Sequence, residues 1–459
     1  MSRIAHLACG VRGTIVACEA VCALALILFA APSVFAGEWE LEDAPPPKSI
    51  EEIKGVLESS YPAPESRPSL FPWIREGLEG LTPFIADTQF YLRYRSYYLR
   101  RDRTSGHLSE AWAMGGSLYY HSGWLKETFA AELEGFTSQP ITAPESRFGT
   151  LLLKEPDQRD YTVLGVANGK LRYRDFMLTG YRQKLYLPYL NQQDSRMTPN
   201  TFEAAKFSKE EGPLRFAAGY AWKFKRRNGD DFVSLSREVG VSKTRGAAFG
   251  SLIWEPQENV HLGASGFVVP DVLATVYAEA DYDLSLSDAV DLRLDLQFTH
   301  QHTVGKELLA GPGFDTWNFG LRTSASWEGV ILQLAFAITD DERRIENFYG
   351  SNPTFIGLMQ RTFNQADEKA LLASFSYNFA RLGLEDLSAI VNFAQGWDGV
   401  VAGRRGDARE FNVTLDYRIG TGRLESLWLR LRAAWLEEDI APHDGTDFRV
   451  ILRYELPVI

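Results

Sequence analysis

Arginines recur at even spacings in segments near both ends of the sequence. Side chains two residues apart share one face of a β-strand, so such a run presents a row of guanidinium groups on one side. A guanidinium group binds a carboxylate through two parallel hydrogen bonds, which favours anionic solutes. We define the basic wall as the predicted set Arg93, Arg95, Arg418, Arg430, Arg432, Arg449 and Arg453.

The middle of the sequence carries the opposite charge in a similar pattern. The predicted acidic patch consists of Glu279, Asp281, Asp283, Asp291 and Asp295. If the first and last segments are neighbours in a closed sheet, the middle segments lie across from them, and the field between the two sides would orient a dipolar solute. An alternative stays open, in which these charges mainly pair with one another and keep a water-filled interior solvated.

A polar segment, LPYLNQQDSRMTPNTF (Leu187 to Phe202), interrupts the otherwise alternating sequence. Pro188 and Pro199 restrict its backbone, and Asn and Asp side chains favour turns. A wide barrel would leave an open channel unless a segment folded inward to narrow it. The sequence therefore predicts a constriction loop, for which we name Asn191, Asp194, Ser195 and Arg196.

The elements that must position these residues are strands. From Asp87 onward apolar and polar residues alternate, as in the last segment, where Phe448, Val450 and Leu452 alternate with charged residues. About eighteen such segments, each about ten residues long, match the length of a tilted membrane strand. We predict separate starts at Tyr161, Lys170 and Phe176, and the next at Pro213.

Persistently charged faces and alternating short and long connections favour a transmembrane antiparallel β-barrel over a soluble sandwich, which needs strands buried on both faces. The fold class is therefore all-β, with about eighteen strands after a cleaved signal peptide. Aromatic residues near segment ends suit girdles at the two membrane interfaces, namely Tyr97, Tyr98, Trp112, Trp124, Trp254 and Trp435.

The N-terminal part of the sequence differs from the rest. Residues 1–36 combine Arg3 and Arg12 with an apolar run ending at Ala36, which predicts a signal peptide; a single membrane anchor is the alternative. All three cysteines lie in this segment. Residues 37–83 are rich in proline and predict a periplasmic extension or linker with a short helix, and residues 84–459 form the predicted barrel.

Composition and motifs exclude several classes of function. A net charge of −12 without a basic stripe argues against nucleic-acid binding. No serine lies in a nucleophile elbow, so we predict no enzymatic activity and no catalytic residues. His300 and His302 are more simply loop residues than metal ligands. We predict no cofactor and no metal, although a barrel with another role, a hydrolase or an adhesin, stays open.

GYRQKLYLPYLNQQDSRMTPNTFEA (Gly180 to Ala204) resembles the signature of the OprD family of outer-membrane porins. Further similar stretches are FVSLSREVGV, ELLAGPGFDTWNFG and YGSNPTFIGLMQRTFNQADEKA. The resemblance implies an eighteen-stranded barrel, a constriction built by the third and seventh extracellular loops, and a ladder of basic residues. Departures are Ala205 in place of a usual glycine, the 37–83 extension, and a non-aromatic C-terminal residue, Ile459.

The resemblance, taken with the basic wall, implies a porin in the outer membrane of a Gram-negative-type bacterium. It would take up amino acids, short peptides or small carboxylates passively and selectively. The expected partners are outer-membrane lipid and small-molecule solutes, without nucleic acid. The choice between a monomer and a homo-oligomer such as a trimer stays open.

Overall fold

The structure is a computed structural model that describes residues 69–287, 289–440 and 444–459. The predicted signal peptide, residues 1–36, lies outside the described residues. So does the part of the 37–83 extension that precedes Ser69, including its predicted helix near Ser49.

Eighteen antiparallel strands form one sheet. They are β1 (Gln89–Arg103), β2 (Leu108–His121), β3 (Phe129–Thr142), β4 (Tyr161–Tyr173), β5 (Phe176–Gln183), β8 (Thr201–Lys209), β9 (Leu214–Lys225), β10 (Ala247–Gln257), β11 (Val260–Val269), β12 (Leu273–Ser287), β13 (Val290–Thr303), β14 (Asp315–Trp327), β15 (Val330–Thr339), β16 (Lys369–Asn378), β17 (Leu387–Val401), β18 (Arg404–Arg418), β19 (Trp428–Glu438) and β20 (Gly445–Pro457). A hairpin of β6 (Tyr186–Leu187) and β7 (Leu190–Asn191) stands apart from this sheet.

The sheet closes because the first strand pairs with the last. Strands β1 and β20 run antiparallel from Tyr91 opposite Pro457 to Arg103 opposite Gly445. Closure satisfies the backbone hydrogen bonds that an open edge would leave exposed. The predicted fold class, a closed barrel of eighteen strands, is confirmed.

Alternation along the strands separates an apolar outside from a polar inside. On β20, Phe448 is exposed while Asp447 and Arg449 are buried. On β13, Leu294 and Leu296 are exposed while Asp295 is buried. Exposed leucines next to buried charges are the reverse of a soluble protein and are typical of a membrane barrel.

The two rims differ in the length of their connections. The rim that holds the chain ends has short turns such as 174–175, 258–259 and 328–329. The opposite rim carries long loops, among them the third (184–200), the fourth (226–246) and the seventh (340–368). Short turns face the periplasm in bacterial barrels, so the long loops are extracellular.

Two details of the strand prediction are wrong, and they cancel in the total. Lys170 does not begin a strand but lies within β4, where the turn-like pair Asn168-Gly169 continues the ladder with β3. Strand β8 is absent from the prediction because it follows the polar segment directly and its apolar residues change face along the strand: Phe202 and Ala204 are buried inside the barrel, whereas Phe207 is exposed outside.

Tyr97 does not belong to an interfacial girdle. It is only 1% exposed and packs inside the barrel in one cluster with Met197 of the third loop. Its odd position on β1 puts it on the same face as Arg93 and Arg95, whereas its neighbour Tyr98 faces outward and donates a hydrogen bond to Glu110. The pair Tyr97-Tyr98 therefore divides between the two faces.

Helices are short and lie outside the sheet. They are α1 (Pro72–Leu78), α2 (Pro83–Ala86) and α3 (Leu235–Glu238), with 3₁₀ turns at Glu145–Arg147, Phe379–Leu382 and Gly422–Leu424. Within the described ranges, no helix combines the length and the apolar character needed to cross a bilayer.

Candidate functional site

The third loop lies inside the barrel and crosses it. Leu190 and Asn191 are fully buried. At one wall, Arg95 of β1 donates to both carboxylate oxygens of Asp194, at 2.6 and 2.8 Å. Towards another wall, the hydroxyl of Tyr189 lies 2.8 Å from Thr299 Oγ1 on β13. Because β1 and β13 are far apart around the sheet, the loop must span the lumen between them.

The seventh loop joins the third loop in the middle of the lumen. Asn191 is the main link, because its side chain donates to the Ser351 carbonyl at 2.8 Å and accepts from the Ser351 backbone N–H at 2.9 Å. Leu190 also forms a parallel bridge with Tyr349. The Tyr349 hydroxyl in turn donates to the Leu235 carbonyl of the fourth loop at 2.9 Å. Three loops thus form one packed layer across the pore.

A buried lysine secures the C-terminal part of the third loop. The Lys225 ammonium group, at the end of β9, donates to the carbonyl oxygens of Pro199 at 2.9 Å, Arg226 at 2.9 Å and Gly229 at 3.3 Å. Its three donors are therefore all used, and the side chain is fully buried. This lysine fastens the third loop to the start of the fourth.

The seventh loop is fastened to the strands that carry the basic wall. The Glu410 carboxylate on β18 accepts backbone hydrogen bonds from Met359 at 2.8 Å and Arg361 at 2.9 Å. Arg449 on β20 donates to the Met359 carbonyl at 2.8 Å. Arg361 reaches Glu368 of its own loop at 2.8 Å. The tip of the seventh loop is therefore held against β18 and β20.

The predicted constriction residues have different partners. Asp194 binds Arg95, and Asn191 binds the seventh loop, as described above. Ser195 accepts a hydrogen bond from Arg227 of the fourth loop. The Arg196 guanidinium is buried and donates to the Thr150 carbonyl at 3.0 Å. These four side chains brace the loop, and Arg196 does not present its charge to open solvent.

Asp194 lies in a loop outside the strands and remains ionised. Burial opposes its ionisation, but the Arg95 guanidinium beside it outweighs burial and holds the pKa of that carboxyl well below its ordinary value. The contact thus joins two opposite charges that are both buried. Loss of either partner would leave the other charge buried without compensation, which is strongly destabilising.

The basic wall divides into groups with different partners. Arg95 and Arg449 are nearly inaccessible, at 1% and 3% exposed, and hold the third and seventh loops. Arg93 lies in a salt-bridge network, 3.0 Å from Glu134 and 2.8 Å from Glu455. Each of these three arginines donates to protein oxygens.

Three of the remaining four arginines gather around one indole ring. The guanidinium carbons of Arg418, Arg430 and Arg453 lie 4.6, 4.4 and 4.8 Å from the Trp428 ring centroid. The Trp428 indole N–H donates to Asp416 at 2.7 Å, and Arg430 donates to the same carboxylate at 2.6 and 2.8 Å. We call Trp428 and the three arginines around it, Arg418, Arg430 and Arg453, the Trp428 cluster.

Arg432 differs from its neighbours. It donates to Thr414 Oγ1 at 3.1 Å. Among the described salt bridges none involves Arg432, and its side chain is only partly buried. Its hydrogen-bond partner is a neutral hydroxyl, and no carboxylate among the described residues lies within salt-bridge distance of its charge.

The acidic patch is paired within its own wall. Asp295 is fully buried between Arg293 at 2.6 Å and Arg322 at 2.7 Å. Asp281 lies 2.8 Å from Arg293, and Glu279 lies 3.0 Å from His261 Nε2. Asp283 and Asp291 lie near the periplasmic turn, where Asp291 accepts from Ser285 at 2.6 Å. The prediction did not include Arg293, Arg322 or His261.

The charges therefore pair mainly with neighbours on the same or adjacent strands, and not across the lumen. Asp416 with Arg430 and Asp295 with Arg322 each join adjacent strands. Local pairing reduces the net charge on both walls and weakens a field across the pore. On the basic side it leaves Arg432, which bonds to a threonine hydroxyl and has no salt bridge among the described residues.

A cavity of about 380 Å³ lies on the periplasmic side of the third loop. Its walls carry a second set of charges absent from the prediction, with Lys184 2.7 Å from Glu134 and Lys170 3.1 Å from Glu132. Glu132 and Glu134 have the same spacing of two that identifies the basic wall, so the sequence contains a signal for them. Nothing in the sequence indicates that Lys184 meets Glu134.

His300 and His302 lie side by side at the end of β13. The rings of His300 and His302 stack with centroids 4.9 Å apart, and His300 Nε2 lies 2.6 Å from Asp315. In the portion of the chain that the structure covers, no group of three or more His, Cys, Asp or Glu side chains is arranged to hold a metal ion.

The family described as outer membrane porin, OprD family, matches residues 82–458. Among curated proteins no match is found. Solved structures with the same fold include OccK9 (OpdG) of Pseudomonas aeruginosa, with 24% identity, a TM-score of 0.75 and coverage of 82% of this chain and 99% of that chain. OpdK of the same organism, solved with vanillate, has 23% identity, a TM-score of 0.73 and coverage of 82% and 100%.

OccK2 (OpdF) of Pseudomonas aeruginosa, solved in complex with glucuronate, has 20% identity, a TM-score of 0.72 and coverage of 82% of this chain and 100% of that chain. At these identities the likeness establishes a shared barrel fold. The family match begins at residue 82, so the residues before it lie outside the part of the chain that matches the family.

Proposed function

Because this chain belongs to the OprD family of outer-membrane porins, we propose that it conducts small carboxylate-bearing solutes passively across the outer membrane. The observation that carries this preference is the row of arginines on β18, β19 and β20, where Arg432 has no carboxylate partner among the described residues and the Trp428 cluster lies beside it. A porin of this kind lies in the outer membrane of a Gram-negative bacterium.

The charge pattern supports attraction without tight binding. Arg430 already donates two hydrogen bonds to Asp416, so only its other N–H groups could bind a solute. Weak and repeated attraction suits conduction, because strong binding at one position would slow exit. A carboxylate passing along these strands would exchange one arginine for the next.

The size limit comes from the loops. The third and seventh loops are joined through Asn191 and Ser351 and fastened to separate walls through Arg95 and Arg449. This layer restricts passage to solutes small enough to pass beside it. The proposed cargo is therefore a small carboxylate, an amino acid or a short peptide.

Two solved relatives of similar fold were crystallised with carboxylates, vanillate in OpdK and glucuronate in OccK2. These ligands belong to those proteins, and they define useful probes here. Passage through a pore needs no catalytic group, so we infer a channel without enzymatic activity. No contact among the described residues favours the hydrolase or adhesin alternative.

The test is solute uptake into vesicles that contain the purified protein. Glucuronate and glucose form a matched pair, since they are of similar size and differ in the carboxylate. We expect faster entry of glucuronate, and a smaller difference at high salt because salt screens the arginine charges. Equal rates at low and high salt would contradict the carboxylate preference while leaving the porin itself intact.

A loop deletion tests the constriction. Removing residues 191–198 should raise single-channel conductance and reduce discrimination between solutes, while the barrel still assembles, because the loop adds no strand to the sheet. Assembly is checked by heat-modifiable migration in gels. Unchanged conductance would mean that the narrowest point lies elsewhere.

A further inference from the structure

The segment that precedes the barrel exposes an unusual number of large apolar side chains for its length. Helix α1 buries none of its residues. The exposed fractions are 47% for Leu70, 42% for Phe71, 66% for Trp73, 50% for Leu81 and 43% for Ile85. A contiguous apolar surface of this kind usually has a partner.

This segment follows the periplasmic rim of the barrel. At one end, the Leu70 and Phe71 backbone N–H groups donate to Pro457 and Val458 of the C-terminal end, at 2.9 and 3.1 Å. At the other end, the Phe84 carbonyl accepts from the Gly123 N–H at 3.1 Å. The segment therefore runs from the end of the last strand to the turn between β2 and β3.

The segment is continuous with the lipid-facing band. Phe84 stacks on Phe129 with ring centroids 6.1 Å apart. Phe129 shares the outward face of β3 with Leu133, which is exposed. The apolar side chains of the segment thus extend, at the rim, the surface that the barrel presents to lipid.

Helix α1 has distinct sides. Arg75 binds the rim by donating to the carbonyls of Ala86 at 2.7 Å and Thr88 at 2.8 Å. Trp73 precedes Arg75 by two residues, which places the two side chains on nearly opposite faces of a helix. The indole therefore points away from the attachment to the rim.

We propose that residues 70–85 form an interfacial anchor that rests in the boundary between headgroups and acyl chains of the periplasmic leaflet. Tryptophan and phenylalanine favour this layer, where an apolar ring is buried and a polar edge stays wet. The family match begins at residue 82, so most of the anchor lies before the part of the chain shared with the family. The proposal needs the outer-membrane location of the barrel but not its solute preference.

A fluorescent label at residue 73 tests the anchor. All cysteines of the chain lie at positions 9, 18 and 22, so protein expressed from Gly37 accepts a single engineered thiol. Trp73→Cys is labelled with an environment-sensitive dye and reconstituted into phospholipid vesicles. Quenching is compared between lipids bearing a nitroxide at acyl carbon 5, lipids bearing it at carbon 12, and iodide in the water.

Two matched positions serve as references. Leu133→Cys reports the lipid-facing band, and Glu258→Cys, an exposed charged position in the periplasmic turn 258–259, reports water. We expect the label at 73 to be quenched more by carbon-5 than by carbon-12 nitroxide, and at least about twofold less by iodide than the label at 258. All three positions are exposed, so barrel assembly, checked by heat-modifiable migration, should be unaffected.

Iodide quenching at 73 as strong as at 258, without quenching by either lipid nitroxide, would overturn the proposal. That result would put the indole in water, as it would be if the segment covered the pore mouth or docked a soluble partner. Uptake of glucuronate and glucose is a separate measurement, so failure of the anchor and failure of the proposed carboxylate preference are distinguishable.

Discussion

Arg95 and Arg432 both point into the lumen from neighbouring parts of the same wall, yet their surroundings differ. Arg95 is 1% exposed and donates to both oxygens of Asp194 and to the Arg196 carbonyl. Arg432 is partly buried and has a threonine hydroxyl as its hydrogen-bond partner. We therefore distinguish two roles for arginines in the lumen. An arginine paired with a loop carboxylate holds that loop in place, and one without such a partner is available to a passing solute.

The difference is also one of energy. Removing one member of a buried ion pair leaves the other charge uncompensated and costs about 3–5 kcal/mol. Removing a charge that faces water changes stability by about 1 kcal/mol or less. Substitutions at Arg95 should consequently move a loop, whereas substitutions at Arg432 should change only the potential that an ion meets.

The largest effect is expected from Arg95→Leu. The Asp194 carboxylate would lose its guanidinium partner, and the third loop would lose its attachment to β1, at a cost of about 3–5 kcal/mol. We expect a noisier channel of higher conductance in planar bilayers. The double variant Arg95→Leu/Asp194→Leu should be less noisy than the single one, because no lone charge stays buried, yet noisier than the unmodified channel, because the attachment of the third loop to β1 is still missing. A double variant as noisy as the single one would contradict this assignment.

A smaller effect of the same kind is expected from Lys225→Met. Methionine keeps much of the side-chain volume but removes three hydrogen bonds to loop carbonyls. The third and fourth loops should separate more often, which appears as more frequent transitions between conductance levels. Lys209→Met is the control, because Lys209 lines the cavity on the periplasmic side of the third loop and its side chain has no hydrogen bond to either loop among the described contacts. Equal noise in both variants would contradict the role of Lys225 in holding the third and fourth loops together.

Trp428→Leu should act on selectivity without moving the loops. The indole supports Arg418, Arg430 and Arg453 and binds Asp416, so its loss should spread the three guanidinium groups. Each cation–π contact is worth about 0.5–1 kcal/mol at an exposed site. We expect slower glucuronate uptake with unchanged glucose uptake. A fall in both rates would point to a change in pore width.

Lowering the pH from 8 to 5 should have the smallest effect on conductance. A carboxyl whose folded-state pKa is depressed contributes stability above its unfolded pKa and loses it only as pH falls through the folded value. The pKa of Asp194 lies below the ordinary value of about 4. The attachment of the third loop should thus be constant between pH 8 and 5. Conductance traces over this range test it, and a noise increase on acidification to pH 5 that is absent in Arg95→Leu/Asp194→Leu would contradict it.

The alternation of side chains predicts much of this architecture but few of its contacts. A period of two places Arg430, Arg432 and Trp428 on one face correctly, because the face of a strand depends only on local geometry. The same rule places Tyr97 inward, although its proximity to a segment end suggests a girdle. Beyond that, the alternation rule misses β8 because its apolar residues face inward at Phe202 and Ala204 but outward at Phe207.

The partners of the charges are not predictable in the same way. Asp194 and Arg95 are 99 residues apart in sequence, and Lys225 meets carbonyl oxygens that any residue could supply. Which charge is fastened and which faces the lumen follows from how the loops pack inside the closed sheet. The sequence predicts a single basic wall, whereas in the structure some of its arginines hold loops and others face the lumen.

The most direct test of that division compares Arg432→Gln with Arg95→Leu/Asp194→Leu in one bilayer experiment. The first removes a lumen charge worth about 1 kcal/mol to an ion at about 4 Å, roughly a fivefold change in local anion concentration. The second keeps the net charge and removes a fastener. We predict that Arg432→Gln shifts the reversal potential toward cations at unchanged conductance, and that the double variant changes conductance or noise with a smaller shift. A large selectivity shift in the double variant alone, with Arg432→Gln indistinguishable from the unmodified channel, would contradict it.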